Sequence, residues 1–174
     1  VTGLLARSQS RLVIVLLVFA LGLGAVRHYV PPQHGFANVG RWETIGRWLR
    51  QTKPPTTKIA IVPIGAVGYF SRLPMIDLVG LATREVARGG RVPPELLVRS
   101  WIGHEKSNPD WVLAQRPDLI VFTKWDDKPW TLETARAGFW AEKQLLDAIR
   151  TRGGYRVMNA RIERDVYWLM FERE

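Results

Sequence analysis

Residues 12–26 read LVIVLLVFALGLGAV, an unbroken apolar run held between Arg11 and Arg27. No other feature constrains the chain as much, because a helix that is apolar on every face needs lipid or a large protein interior around it. Its 15 residues fall short of the roughly 20 that span a bilayer. The flanking arginines can reach back toward water, however, and Tyr29 and Val30 extend the interfacial part. We read residues 1–30 as an N-terminal tail and a transmembrane helix. Two other readings stay open. One is a signal-peptide core, although no small-x-small cleavage site follows Gly24; the other is a core helix, which a domain of this size can hardly enclose. Arg7 and Arg11 before the run are matched by Arg27 and His28 after it, so charge alone leaves the sidedness open. Pro31 and Pro32 then stop the helix. The chain opens on Val and not Met, which points to a fragment or a processed product.

The 174 residues give room for one domain with a real core. A formal charge of +9 raises the question of nucleic acid, but the basic residues are mostly arginines scattered through helices and turns, with no basic run and no binding motif. Nucleic acid is therefore not expected as a partner; an anionic lipid surface or a polyprenyl phosphate suits the charge better. Cysteine is absent, which removes disulfide scaffolds, thiolate metal sites and cysteine nucleophiles together.

After the membrane run, Val39, Trp42, Ile45, Trp48 and Leu49 recur at helical spacing between Arg41, Glu43, Arg47 and Arg50. Residues 31–57 are thus an amphipathic helix and a Pro- and Thr-rich connector, with the Trp-bearing face on the domain core or at a membrane interface. From residue 58 onward the pattern predicts a soluble α/β domain ending at 174. Ile59-Ala60-Ile61-Val62 reads as a strand covered on both faces. Further strands are expected over 75–81, which carries Asp77 in its middle, and over 119–122. Asn108-Pro109-Asp110 opens a short helix over 109–115. The longest soluble helix is expected over 133–150, stopped by Gly153-Gly154. Strands over 155–160 and 165–171 close the domain. The fold class is α/β: a small mixed sheet flanked by helices, Rossmann-like but without a dinucleotide fingerprint, preceded by one transmembrane helix.

Chemistry-bearing residues fall in a few places. Gly65 and Gly68 follow a strand end but lack the G-x-G-x-x-G spacing and are expected to permit a turn. The loop after that strand makes Tyr69 and Ser71 pocket candidates. Asp77, a carboxylate in an apolar strand, needs partners to offset its desolvation: an arginine, backbone amides or a ligand. His104, Glu105 and Lys106 bring an imidazole, a carboxylate and an ammonium into one loop. A hydrolase could use the first two as acid and base, but neither a metal-ligand spacing nor a nucleophile elbow accompanies them. Trp125 and Trp130 flank a polar stretch and could line a carbohydrate platform or anchor a loop.

The segment 67–81, VGYFSRLPMIDLVGL, is similar to the YYSGLPTIDMLGL element of bacterial C-type membrane glycosyltransferases, a group that includes terminal arabinofuranosyltransferase-like enzymes of the cell envelope. Further on, Gly103-His104-Glu105-Lys106, Pro109-Asp110-Trp111-Val112-Leu113 and Arg116-Pro117-Asp118-Leu119-Ile120 resemble the GHEK, PDYVL and RPDLI elements of the same proteins, in the same order. Arg72 stands where the family has a small residue, and Trp111 replaces a tyrosine.

The resemblance implies an inner-membrane enzyme that moves a sugar from a polyprenyl phosphate to an envelope acceptor on the extracytoplasmic side. It also implies that the catalytic residue lies near N-terminal membrane helices outside this sequence. This chain is then expected to carry no catalytic residue and to need no metal or cofactor. Its partners would be the lipid bilayer, the polyprenyl-phosphate sugar, a glycan acceptor and the missing N-terminal membrane domain. Tyr69, Ser71, Asp77, His104, Glu105 and Lys106 are the expected substrate-binding residues. A single-span anchored protein serving as a non-enzymatic binding or scaffold module is the alternative.

Overall fold

Apolar residues alternate between the two faces of a central sheet, and this alternation organises the fold. In the computed structural model, which describes residues 33–90, 93 and 104–174, Ile59, Ile61, Leu119, Val121, Trp168 and Met170 face one core. Their neighbours Ala60, Val62, Ile120, Phe122, Leu169 and Phe171 face the other. Successive side chains of a strand point to opposite sides, so a strand apolar at every position must be covered on both.

The elements run α1 (Gln33–Thr52), β1 (Ile59–Ile61), α2 (Ile64–Ser71), β2 (Met75–Asp77), α3 (Arg84–Gly89), α4 (Pro109–Ala114), β3 (Leu119–Asp126), α5 (Trp140–Arg152), β4 (Tyr155–Glu163) and β5 (Val166–Arg173). The sheet order is β2-β1-β3-β5-β4. β2, β1 and β3 are parallel, whereas β5 joins β3 antiparallel and forms a hairpin with β4. Ile45 and Leu49 of α1 and Val67 of α2 cover one face. Val86 of α3, Val112 of α4 and Leu145, Leu146 and Ile149 of α5 cover the other. The result is a mixed five-stranded sheet between helical layers, and from Arg41 onward α1 belongs to the same compact unit as the sheet.

Local chemistry explains several boundaries. Asn108 caps α4, its side chain accepting the Trp111 amide at 3.2 Å, with Pro109 in the first turn. Gly153 and Gly154 take positive φ values of 71° and 82°, which reverses the chain from α5 into β4.

Other boundaries differ from the sequence reading. The expected strand over 75–81 stops at Asp77, because the Asp77 carboxylate draws the following amides into a turn. Gly65 and Gly68 lie inside α2 and not in a turn, since Pro63 leads straight into that helix. The helix expected over 133–150 begins only at Trp140. Residues before it fold back instead, with the Arg150 guanidinium donating to the carbonyls of Leu132, Glu133 and Ala135. The longest described helix is α1, with 20 residues against 13 for α5.

The apolar run 12–26 lies outside the described residues; among those described, no helix is long and apolar enough to cross a membrane.

Candidate functional site

Topology gathers most of the polar candidates at one edge. Each parallel strand is followed by a segment that returns across the sheet, so β1, β2 and β3 end together, and in open α/β sheets this edge is where ligands bind. α5 starts at the same edge, because it leads back to β4, whose first residues pair with the last of β5 beside the start of β3.

Asp77 ends β2 and is 1% exposed. One carboxylate oxygen accepts the Val79 amide at 2.8 Å and the other the Ala82 amide at 2.6 Å. The Asp77 amide donates to Thr83 Oγ1 at 3.0 Å. Of the partners the sequence allowed, backbone amides are the ones the fold uses. The turn that follows also needs Gly80: its φ is 81°, and a Cβ there would come within 2.6 Å of the Ala87 nitrogen. Asp77 therefore shapes the loop at the edge.

Glu142 is the residue that sequence reasoning missed. It is fully buried in the first turn of α5. Its carboxylate accepts the Thr123 amide at 2.6 Å, the Thr123 hydroxyl at 3.0 Å, the Gly138 amide at 2.6 Å and the Phe139 amide at 3.2 Å. Burial pushes this carboxyl above the ordinary glutamate range, and the hydrogen bonds from Gly138, Thr123 and Phe139 pull the other way without cancelling it. Gly138 must be small, since a Cβ there would collide with the Thr123 hydroxyl. A glutamate three residues after an N-cap is a recognised sequence signal. It was obscured here because the capping residue is Phe139 and not serine or threonine.

His104 lies on this knot. Its ring stacks on Phe139 with centroids 5.1 Å apart and planes 25° from parallel. Glu105 is half-buried and Lys106 exposed. The loop is then fastened by Ser107, which is 5% exposed, and by Asn108, whose amide nitrogen reaches the Glu85 carbonyl at 3.4 Å. The edge thus presents an oriented imidazole, a carboxylate and a mobile-stemmed ammonium, a set suited to hydrogen-bonding a polar, hydroxyl-rich ligand.

Two of the sequence candidates lie elsewhere. Ser71 is 2% exposed, and its hydroxyl accepts the Leu73 amide at 3.3 Å. Tyr69 is 77% exposed. Because α2 runs back from the end of β1 to the start of β2, its last turn places Tyr69 at the edge opposite His104. There it lines a groove with Arg47, Arg50, Gln51, Phe70 and Arg72. The six candidates are thus not one site: Asp77, His104, Glu105 and Lys106 share an edge, and Tyr69 and Ser71 do not.

The two tryptophans form no platform. Trp130 is buried, its indole N–H donating to the Tyr167 carbonyl at 2.9 Å while Asn159 clasps its backbone from both sides. Trp125 stays 37% exposed, its ring held between the Arg41 guanidinium, 4.4 Å from its centroid, and Trp168 at 4.9 Å. Asp126 pairs with Arg136 at 2.9 Å. Among the described residues no cluster of three His, Asp or Glu side chains could hold a metal.

Fold and edge together define a mixed α/β domain with a polar loop cluster at the ends of its parallel strands. The chain belongs to the family described as Domain of unknown function (DUF8728), whose model matches residues 32–168, from the start of α1 into β5. No curated protein and no solved structure matches it.

Proposed function

We propose that this chain is the extracytoplasmic C-terminal domain of an integral-membrane glycosyltransferase that takes a sugar from a polyprenyl phosphate. The run 12–26 is the membrane helix that leads into it. Chemistry belongs to a membrane region outside this sequence, and the domain recognises the acceptor through the edge that carries His104, Glu105 and Lys106.

The observation that carries this reading is how the fold uses the two segments with the family resemblance. Residues 67–81 supply α2, β2 and the Asp77 turn; residues 103–122 include the His104 loop, α4 and the start of β3. Separated in sequence, they bring Asp77 from the first and His104, Glu105 and Lys106 from the second to the same edge. Amide-locked Asp77 and the knot around Glu142 give that edge a rigid base, and rigidity lowers the ordering cost of binding.

The test is sugar transfer from a panel of polyprenyl-phosphate donors by membranes containing the protein that carries this domain. The combined change His104→Ala and Lys106→Ala is expected to lower transfer to acceptor about tenfold, the effect of roughly 1.4 kcal/mol of lost interaction. Arg156→Gln, at the start of β4 and the opposite edge, should leave transfer unchanged. Membranes without transfer from any donor, or equal transfer by all variants, would overturn the reading.

A further inference from the structure

The groove at the opposite edge has no part in that reading. It lies between the last turns of α1 and α2, encloses about 480 Å³, and is lined by Arg47, Arg50, Gln51, Tyr69, Phe70 and Arg72. Three arginines line it and no carboxylate does. Arg47 is partly neutralised by Glu43 at 2.8 Å, and its guanidinium lies 4.7 Å from the centroid of the Phe70 ring. Neither Arg50 nor Arg72 enters any ion pair among the described residues.

A structural explanation competes: arginines near helix C-termini offset the negative end of the helix dipole. That end carries about half an elementary charge per helix. Two helices supply about one negative charge and Glu43 offsets Arg47, against three guanidiniums in all, so the groove stays cationic by about one charge. The position of Arg72 points the same way. It caps α2 with φ of 57°, a left-handed conformation in which glycine would be unstrained. The walls are also fixed in place, because Gly46 lets α1 and α2 approach until a Cβ there would meet Phe70 Cβ at 2.8 Å and the Val67 carbonyl at 3.0 Å.

We propose that this groove binds the phosphate group of a phosphate ester. Arg50 and Arg72 present planar forks that match phosphate oxygens, Arg47 adds a third positive charge, and the exposed Tyr69 supplies a hydroxyl donor. A lone phosphate would leave most of the groove empty, so the ligand carries a polar substituent that meets Gln51 and the Tyr69 ring. The same chemistry fits a phospholipid headgroup and a soluble phosphate ester. This inference does not rest on the glycosyltransferase reading and can stand or fall without it.

The test is calorimetric titration of the full chain, in neutral detergent at low salt, with inorganic phosphate, glycerol 3-phosphate, dihexanoyl phosphatidylglycerol and dihexanoyl phosphatidylcholine. Saturable one-site binding is expected. The combined change Arg50→Gln and Arg72→Gln should weaken it at least tenfold. Arg161→Gln with Arg164→Gln, which removes the same charge beside the β4–β5 turn, should change it less than twofold. Arg72→Gly separates binding from folding: relief of the left-handed strain keeps or raises the melting temperature while affinity falls. Tighter binding of phosphatidylglycerol than of glycerol 3-phosphate supports the site with lipid as the source, and the reverse supports it with a soluble ester. No saturable binding by the unmodified chain, equal weakening by both double variants, or affinity untouched by Arg72→Gly would overturn the proposal.

Discussion

The Glu142 carboxylate accepts both the amide and the hydroxyl of Thr123, at 2.6 and 3.0 Å, which ties the first turn of α5 to β3. Burial raises this carboxyl above its ordinary value of 4.5, so the folded chain holds the proton more tightly than the unfolded one. Its contribution to stability is fully present below that value and is lost as pH rises through the folded value. Asp126, Glu133 and Glu172 shift downward, so their effects fall in a lower window. The unfolding free energy of the native chain minus that of Glu142→Gln should therefore shrink as pH rises from 4.5. Urea unfolding across a pH series measures it, and a flat or growing difference would contradict the assignment.

Asp77→Ala orphans the buried Val79 amide, which costs about 1–3 kcal/mol, and frees the part-buried Ala82 amide as well. His104→Ala removes one ring stack on Phe139, worth about 0.5–1.5 kcal/mol. Thermal unfolding should rank Asp77→Ala well below His104→Ala; equal melting temperatures would count against the Asp77 turn.

Gly46→Ala places a methyl against Phe70 and the Val67 carbonyl. Overpacking of this kind costs about 1–3 kcal/mol. Because the backbone carbonyl is part of the obstruction, α1 and α2 must separate, and the groove they enclose should bind inorganic phosphate more weakly as well. A melting temperature equal to that of the native chain would show that the helices are not in close contact there.

Trp130→Phe loses a part-buried hydrogen bond to the Tyr167 carbonyl, while Trp125→Phe keeps an aromatic ring between Arg41 and Trp168. The first should cost about 1–2 kcal/mol and the second less than half of that, by the same unfolding measurement. The reverse order would mean that Trp125 and not Trp130 anchors the segment.

What was legible in the sequence follows from how local the deciding interaction is. The β1 and β3 runs, the Asn108-Pro109-Asp110 start of α4 and the Gly153-Gly154 reversal depend on neighbours a few residues away, and all are found. The late start of α5 depends on Arg150 capturing carbonyls 15 to 18 residues earlier. Glu142 meets Thr123 at a separation of 19 residues, which no periodicity reports. Likewise, Tyr69 and Asp77 are eight positions apart yet at opposite edges, because α2 carries the chain across the sheet between β1 and β2.

The central claim is that the His104 edge recognises the acceptor. Its most direct measurement is tryptophan fluorescence of the full chain titrated with envelope glycan fragments, for the native sequence, for His104→Ala with Lys106→Ala, and for Arg156→Gln. The account predicts saturable binding that the double change weakens about tenfold and Arg156→Gln leaves intact. No binding by the folded chain, or binding indifferent to His104 and Lys106, would contradict it.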